Sequence, residues 1–350
     1  MKIKIFALLL TFFILSPFTL YASNPREIQF DNAVNRASRN AASQLDIESR
    51  QQAAAARELR NIRANTFDKE ESDALNVQIV AAQVESARLA RESNRTRIVA
   101  DLRLRNYLAN IRAAELQIQL LEQTIELQER ALEHTELRRQ HGMASDVNVR
   151  EATHTLEQSR LNLESVQLNL LNERQSLNRH IGQLITTNVQ IVYDVNDIDP
   201  IPEDAGSERF VNAILARDPN LLNARGEVEA RHTAWQSQLD NPDVINQYMR
   251  VQHQIAVFER DMAERQAEQH IRTALLEWER LLEQYEAIQA DLAQAQQEYE
   301  TLKSRFEAGF VTQIQVDQVA LEVINQEIAL ANHYYSFWIA RLRIDHPYVR

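Results

Sequence analysis

Counting by sevens from Leu104 gives Leu104, Ile111, Ile118, Ile125 and Leu132, an apolar line through a stretch otherwise rich in Glu, Gln and Arg. A sustained seven-residue period keeps one stripe of a helix against a partner and predicts left-handed coiled-coil packing. The line recurs at an offset of 167 residues as Ile271, Trp278, Tyr285, Leu292 and Tyr299, with Ala274, Leu281, Ile288, Ala295 and Leu302 filling the alternate steps of three and four. Past a glycine, Val149, Leu156, Leu163, Leu170 and Leu177 correspond at the same offset to Val316, Val323, Leu330, Phe337 and Ile344. No insertion interrupts the correspondence from Leu104 to Leu177, so the chain carries an internal duplication.

The glycines at the break are Gly142 in RRQHGMASDVNV and Gly309 in RFEAGFVTQIQV, two of only five in 350 residues. A left-handed residue closes a last helical turn most cheaply when it has no Cβ. So short a break returns the chain antiparallel, which makes each copy a helical hairpin with glycine at its tip. Ser145 and Thr312, three residues further on, are the expected N-caps of the descending helices. Arg138 and Arg305 are expected to donate to helix-end carbonyls there. The last helix carries a second apolar line, Ile314, Leu321, Ile328, Tyr335 and Leu342, about 200° of rotation from the Val316 line. A helix wedged between two neighbours needs two such seams. The first copy keeps Val147, Leu161 and Leu168 on this second line but places His154 and Gln175 there, which weakens it.

The opening segments of the copies also match, Phe30 to Arg60 with Phe210 to Trp235, now at an offset of 180. Between the copies, Val189, Ile191, Tyr193 and Val195 alternate as in a strand before the proline-rich DIDPIPEDAG. The pattern divides the chain into a signal peptide (1–22), a first helical repeat (23–183) with its tip at 140–146, a linker with a short strand (184–207), and a second repeat (208–350) with its tip at 307–313. No proline falls between Pro25 and Pro200 or between Pro242 and Pro347, so very long helices are permitted. The predicted fold is all-α: elongated antiparallel coiled-coil hairpins in two tandem repeats.

The first residues, MKIKIFALLLTFFILSPFTLYAS, combine two lysines, an apolar run from Ile5 to Leu15, Pro17, and small residues at Ala22 and Ser23. That is the make-up of a secretory signal, and the run is shorter than the roughly 20 residues that span a bilayer. The absence of cysteine excludes disulfides, thiolate chemistry and a lipid-bearing cysteine. A net charge of −12 disfavours nucleic acid as a partner. No catalytic constellation is present, and neither cofactor nor metal is expected. His134, His141 and His154 gather near the first tip without the carboxylates or HExxH spacing of a metal centre, and they read as polar residues of a solvated tip. Tyr334, Tyr335, Phe337 and Trp338 read as core, because Tyr335 and Phe337 lie on the two seams.

The tip segments RRQHGMASDVNVREA and RFEAGFVTQIQVDQVA, the descending helices ending LNRHIG and FWIARLRI, and the opening segments FDNAVNRA and FVNAILARDPNL resemble the TolC family of bacterial outer membrane efflux ducts. The likeness keeps the family's order and covers nearly all of the exported chain. It implies a homotrimer whose duplicated hairpins form a hollow cylinder across the periplasm, associated with the outer membrane. It also implies that the tips dock a periplasmic adaptor and an inner-membrane pump, here through Arg138, Gly142, Met143, Ser145, Arg305, Gly309, Phe310 and Thr312. Family members often narrow the tunnel entrance with carboxylates six and nine residues after the second tip glycine. This chain has Gln315 and Gln318 there, and Asn148 and Glu151 in the first copy, so its candidate entrance is polar with Asp146, Glu151 and Asp317 as nearby charges.

The resemblance departs where the family carries β-hairpins that pool into a barrel, at Asn61 to Asn76 and Ser237 to Gln252. A spanning strand takes about 9–11 residues with alternate apolar positions. NTFDKEESDALN offers none, and QLDNPDVINQYMRV is too short for two. No barrel is therefore expected, and any membrane association is indirect. Two functions follow: an efflux or export duct component of the cell envelope, or an exported coiled-coil scaffold or adaptor with no channel of its own.

Overall fold

The computed structural model describes residues 25–193, 201–238 and 244–349. The signal segment, Val195 and the first half of the proline-rich linker lie outside them. Among the described residues the order is β1 (Arg26–Gln29), α1 (Phe30–Ala64), α2 (Lys69–Gln140), α3 (Asp146–His180), β2 (Val189–Val192), α4 (Glu208–Leu215), α5 (Pro219–Gln236), α6 (Val244–Glu307) and α7 (Gln313–Asp345). Apart from two four-residue strands, every regular element among the described residues is helical. The duplication is visible in α2–α3 and α6–α7, two hairpins with long ascending arms of 72 and 64 residues.

The opening arms differ between the copies. α1 runs unbroken for 35 residues, whereas its counterpart is split into α4 and α5. Pro219 causes the split: it stands at the first position of α5, where its missing N–H costs nothing, but it cannot continue α4. Asp218 caps the new start, its Oδ1 accepting from the N–H groups of Asn220 and Leu221, both at 2.9 Å.

β1 and β2 pair in parallel with Ile28 opposite Ile191, and both of these side chains are buried. β2 follows the alternation read from the sequence. β1 was not expected, since REIQ holds a single inward apolar residue and leaves the period too short to read.

The chain separates into two compact units, each drawing on both repeats. One comprises the described parts of residues 25–29, 104–193 and 279–338; the other comprises those of 30–103, 201–278 and 339–349. In the second unit Val211, Ile214, Leu215 and Leu221 pack with Ala267 and Ile271, so α4 and α5 close over the middle of α6. Leu102 packs with Tyr348 and Val349 in a separate cluster of that unit.

In the first unit the main seams lie where the heptads place them, whereas Val147, Leu161 and Leu168 on the second line of the first copy are exposed. Leu281, Ala295, Val316 and Phe337 are buried, as are Leu156 and Leu177 on α3. The aromatic cluster is core: Tyr335, Phe337 and Trp338 are all buried. Tyr193, just after β2, lies parallel to Trp338 at 5.6 Å between centroids, and its hydroxyl shares a 2.5 Å hydrogen bond with that of Tyr335. Burial pushes both phenols above the usual tyrosine range. His333 lies in the same core with Nε2 2.7 Å from the carbonyl of Leu281, and its desolvation holds the imidazole below its ordinary pKa.

Where the family carries its first β-hairpin, residues 61–64 finish α1, a short turn follows, and α2 begins at Lys69. At the second position the described residues 244–252 belong to α6, and residues 239–243 lie outside the described set. No helix is long and apolar enough to cross a membrane among the described residues.

Candidate functional site

Both tips are built by the same hydrogen-bond pattern. At the end of α2 the N–H of Gly142 donates to the carbonyl of Arg139 (2.9 Å), and that of Met143 to the carbonyl of Arg138 (2.8 Å). At the end of α6 Gly309 donates to Phe306 and Phe310 to Arg305, both at 2.8 Å. These paired closures form a Schellman turn around a left-handed residue, with φ of 72° at Gly142 and 78° at Gly309. A Cβ at either position would meet nothing within 4 Å, so the demand for glycine is conformational and not steric. Gly142→Ala and Gly309→Ala are each expected to cost about 1 kcal/mol, read as a lower thermal midpoint, with Asn at the same position recovering part of the loss.

The first descending arm starts from a reciprocal cap, the second from a one-way one. Ser145 Oγ accepts from the N–H of Asn148 (3.3 Å), while Asn148 Oδ1 accepts from the N–H of Ser145 (3.0 Å). In the second copy Gln315 Oε1 accepts from both the N–H (2.9 Å) and the hydroxyl (3.1 Å) of Thr312. Asn148 and Gln315, two of the four candidate entrance residues, are thus engaged in capping their own helices. Serine or threonine followed three residues later by a side-chain amide is a capping-box spacing, and it is legible in both tip segments. Glu151 and Gln318, one turn further on, are exposed.

Arg138 and Arg305 act differently from the sequence expectation. Their backbone carbonyls accept the turn-closing bonds, and among the described residues neither guanidinium donates to a helix-end carbonyl. Both side chains are exposed. Arg139 instead crosses the first tip to Asp146 at 3.2 Å. Asp317 is paired with Arg130 at 2.8 Å and accepts from Gln313, so of the three nearby acids only Glu151 has no such partner. His134, His141 and His154 are exposed, and no group of three metal-ligating side chains occurs among the described residues.

Ion pairs join the arms into a sheet of helices. Arg160 on α3 meets Glu129 on α2 at 2.7 Å, and Arg174 meets Glu115 at 3.0 Å. Arg130 on the same α2 reaches Asp317 on α7, so α2 lies beside both α3 and α7 in this unit. The two apolar knobs of the tips, Met143 at 62% and Phe310 at 78% exposure, stand out from it.

Such tandem capped hairpins have counterparts in known proteins. Residues 71–183 match the outer membrane efflux protein family. The matched stretch takes in most of α2, the first tip and all of α3. No match is found among curated protein sequences. Among solved structures the fold is similar to the outer membrane protein VceC of Vibrio cholerae, at a TM-score of 0.66 and 15% identity over 91% of this chain and 95% of that one. A membrane protein of Pseudomonas aeruginosa gives 0.68 and 15% over 91% and 89%. The Campylobacter jejuni CmeC outer membrane channel gives 0.61 and 14% over 91% and 85%. The TolC-like resemblance read from the tips and seams is matched in family and in fold, and the matched family is one of transport ducts and not of enzymes. Residues 61–76 of this chain form the end of α1, a turn and the start of α2.

Proposed function

We propose that this protein is a subunit of a TolC-like efflux or export duct, whose helical hairpins line a periplasmic conduit. The observation that carries this reading is the pair of equivalent tips on α2–α3 and α6–α7, each a Schellman turn followed by a helix start where an amide oxygen three residues on, of Asn148 or Gln315, accepts from the N–H of Ser145 or Thr312. Duplicated hairpins held side by side supply a segment of curved wall, and three copies close it as a homotrimer. The tips then dock a periplasmic adaptor and the inner-membrane pump through Met143 and Phe310, with Arg138 and Arg305 beside them. Ser145, Thr312, Gly142 and Gly309 shape the turns that present these contacts. Glu151 and Gln318 line the entrance. Substrate choice belongs to the pump. The chain works in the periplasm and reaches the outer membrane indirectly.

Size-exclusion chromatography with light scattering on the exported chain tests this reading: a trimer is expected, and a monomer at all concentrations overturns it. One observation favours a second reading, a coiled-coil scaffold without a channel, namely the helix–turn–helix where the family has barrel strands. A monomeric or solid-bundle state in the same measurement supports that alternative.

A further inference from the structure

We infer that His232 of α5 and His253 of α6 form a two-imidazole site for a divalent first-row transition metal, which clips the two helices together. α5 and α6 run antiparallel: Arg225 meets Glu264 at 3.6 Å, and the indole N–H of Trp235 donates to Asn246 Oδ1 at 2.8 Å. His232 and His253 meet between these two pairings, with ring centroids 5.1 Å apart and planes inclined at 47°. They stand on different helices, so no local ligand spacing announces the pair in the sequence.

The separation suits shared ligation. A metal bound at about 2.0–2.1 Å by one nitrogen of each ring, with tetrahedral ligand angles, holds the ring centres about 5 Å apart. The inclination is neither the parallel nor the perpendicular arrangement in which rings pack for their own sake. Nδ1 of His232 is buried and makes no hydrogen bond with the described residues. A buried polar nitrogen left in that state is destabilising, and a metal ion answers its lone pair. Both residues keep part of their surface in solvent, so water completes the coordination. Trp235 holds the ligands in place: its ring lies 5.6 Å from that of His253 at 28° and meets that of His232 edge-on at 5.9 Å. Its bond to Asn246 fixes the indole in turn, and such outer contacts orient metal-bound imidazoles.

Imidazole ligands suit zinc, nickel and copper, and at a given site copper(II) binds tightest of the first-row divalent ions. No group of three His, Cys, Asp or Glu residues able to hold a metal occurs among the described residues, so the pair has no third protein ligand of these types. That excludes a closed structural centre and the three-ligand set of a catalytic zinc, and it leaves a weak, reversible site. An ion there bridges α5 and α6 and stabilises the folded pair according to how far its free concentration exceeds the dissociation constant. Ligation requires both imidazoles unprotonated, so acidification releases the ion. The site stands whether or not the chain lines a duct.

Copper(II) chloride titrated into the tag-free exported chain at neutral pH is expected to quench tryptophan fluorescence saturably and reversibly by EDTA, because Trp235 touches both ligands. Electron spin-echo modulation of the wild-type protein, loaded with less than one equivalent of copper(II), is expected to show two coordinated imidazoles, a readout that needs no variant. His232→Gln and His253→Gln are each expected to weaken copper(II) binding by about tenfold or more and to abolish the rise in thermal midpoint that nickel(II) gives the wild type. The triple variant His134→Gln, His141→Gln, His154→Gln keeps the binding, since those side chains are exposed at the first tip. Quenching that survives both single substitutions, a copper centre with only one imidazole, or binding lost only in the triple variant overturns the site.

Discussion

Trp338→Ala lowers the unfolding free energy by about 3–5 kcal/mol, the range for removing a large aromatic side chain from a core. Trp338 is buried and is touched from three directions. Tyr193 lies parallel to one face at 5.6 Å, the guanidinium carbon of Arg105 stands 4.4 Å from the ring centroid, and Tyr335 meets it edge-on at 6.3 Å. Arg105 also donates to the carbonyl of residue 338 at 3.1 Å; that bond is to the backbone and survives the substitution. The variant therefore isolates packing and ring–cation terms, the latter about 0.5–2 kcal/mol. Trp338→Phe keeps an apolar ring and loses less. Because Tyr193 follows β2, loss of its stacking partner also loosens the linker strand, so near-ultraviolet circular dichroism of the native state weakens along with the urea midpoint. A shift corresponding to less than about 1 kcal/mol would show that the cluster is not a fold-determining core.

The seams and tips were legible in the sequence because their physics is periodic or local. A seven-residue line names its own buried face, and a lone glycine followed by serine or threonine names a helix end and the next helix start. Asn148 and Gln315 were read as candidate entrance residues from the family resemblance, while their spacing from Ser145 and Thr312 also spells the capping contacts that the structure shows. Pro219 was visible, but aligning the opening segments by offset hid that it must split the second one into α4 and α5. β1 was illegible because four residues with one inward side chain carry no period, and its pairing with β2 is a contact across more than 160 residues of chain.

Along α6 the same chemistry carries different loads, and Ile271→Ala against Leu276→Ala measures that difference. Ile271 is 1% exposed and packs with Val211, Ile214, Leu215 and Leu221 under the α4–α5 junction. Its truncation removes three methyl or methylene carbons and leaves a cavity beneath a helix break fixed by Asp218, so relaxation is limited. The expected cost is about 2–5 kcal/mol. Leu276, five residues on, is 64% exposed, and its truncation is expected to change monomer stability by under about 0.5 kcal/mol. Chemical denaturation of both variants at low protein concentration checks the pair. Equal effects would mean that α4 and α5 do not close over α6 in solution. A large loss confined to Ile271 fixes the α4–α5 junction onto the middle of α6.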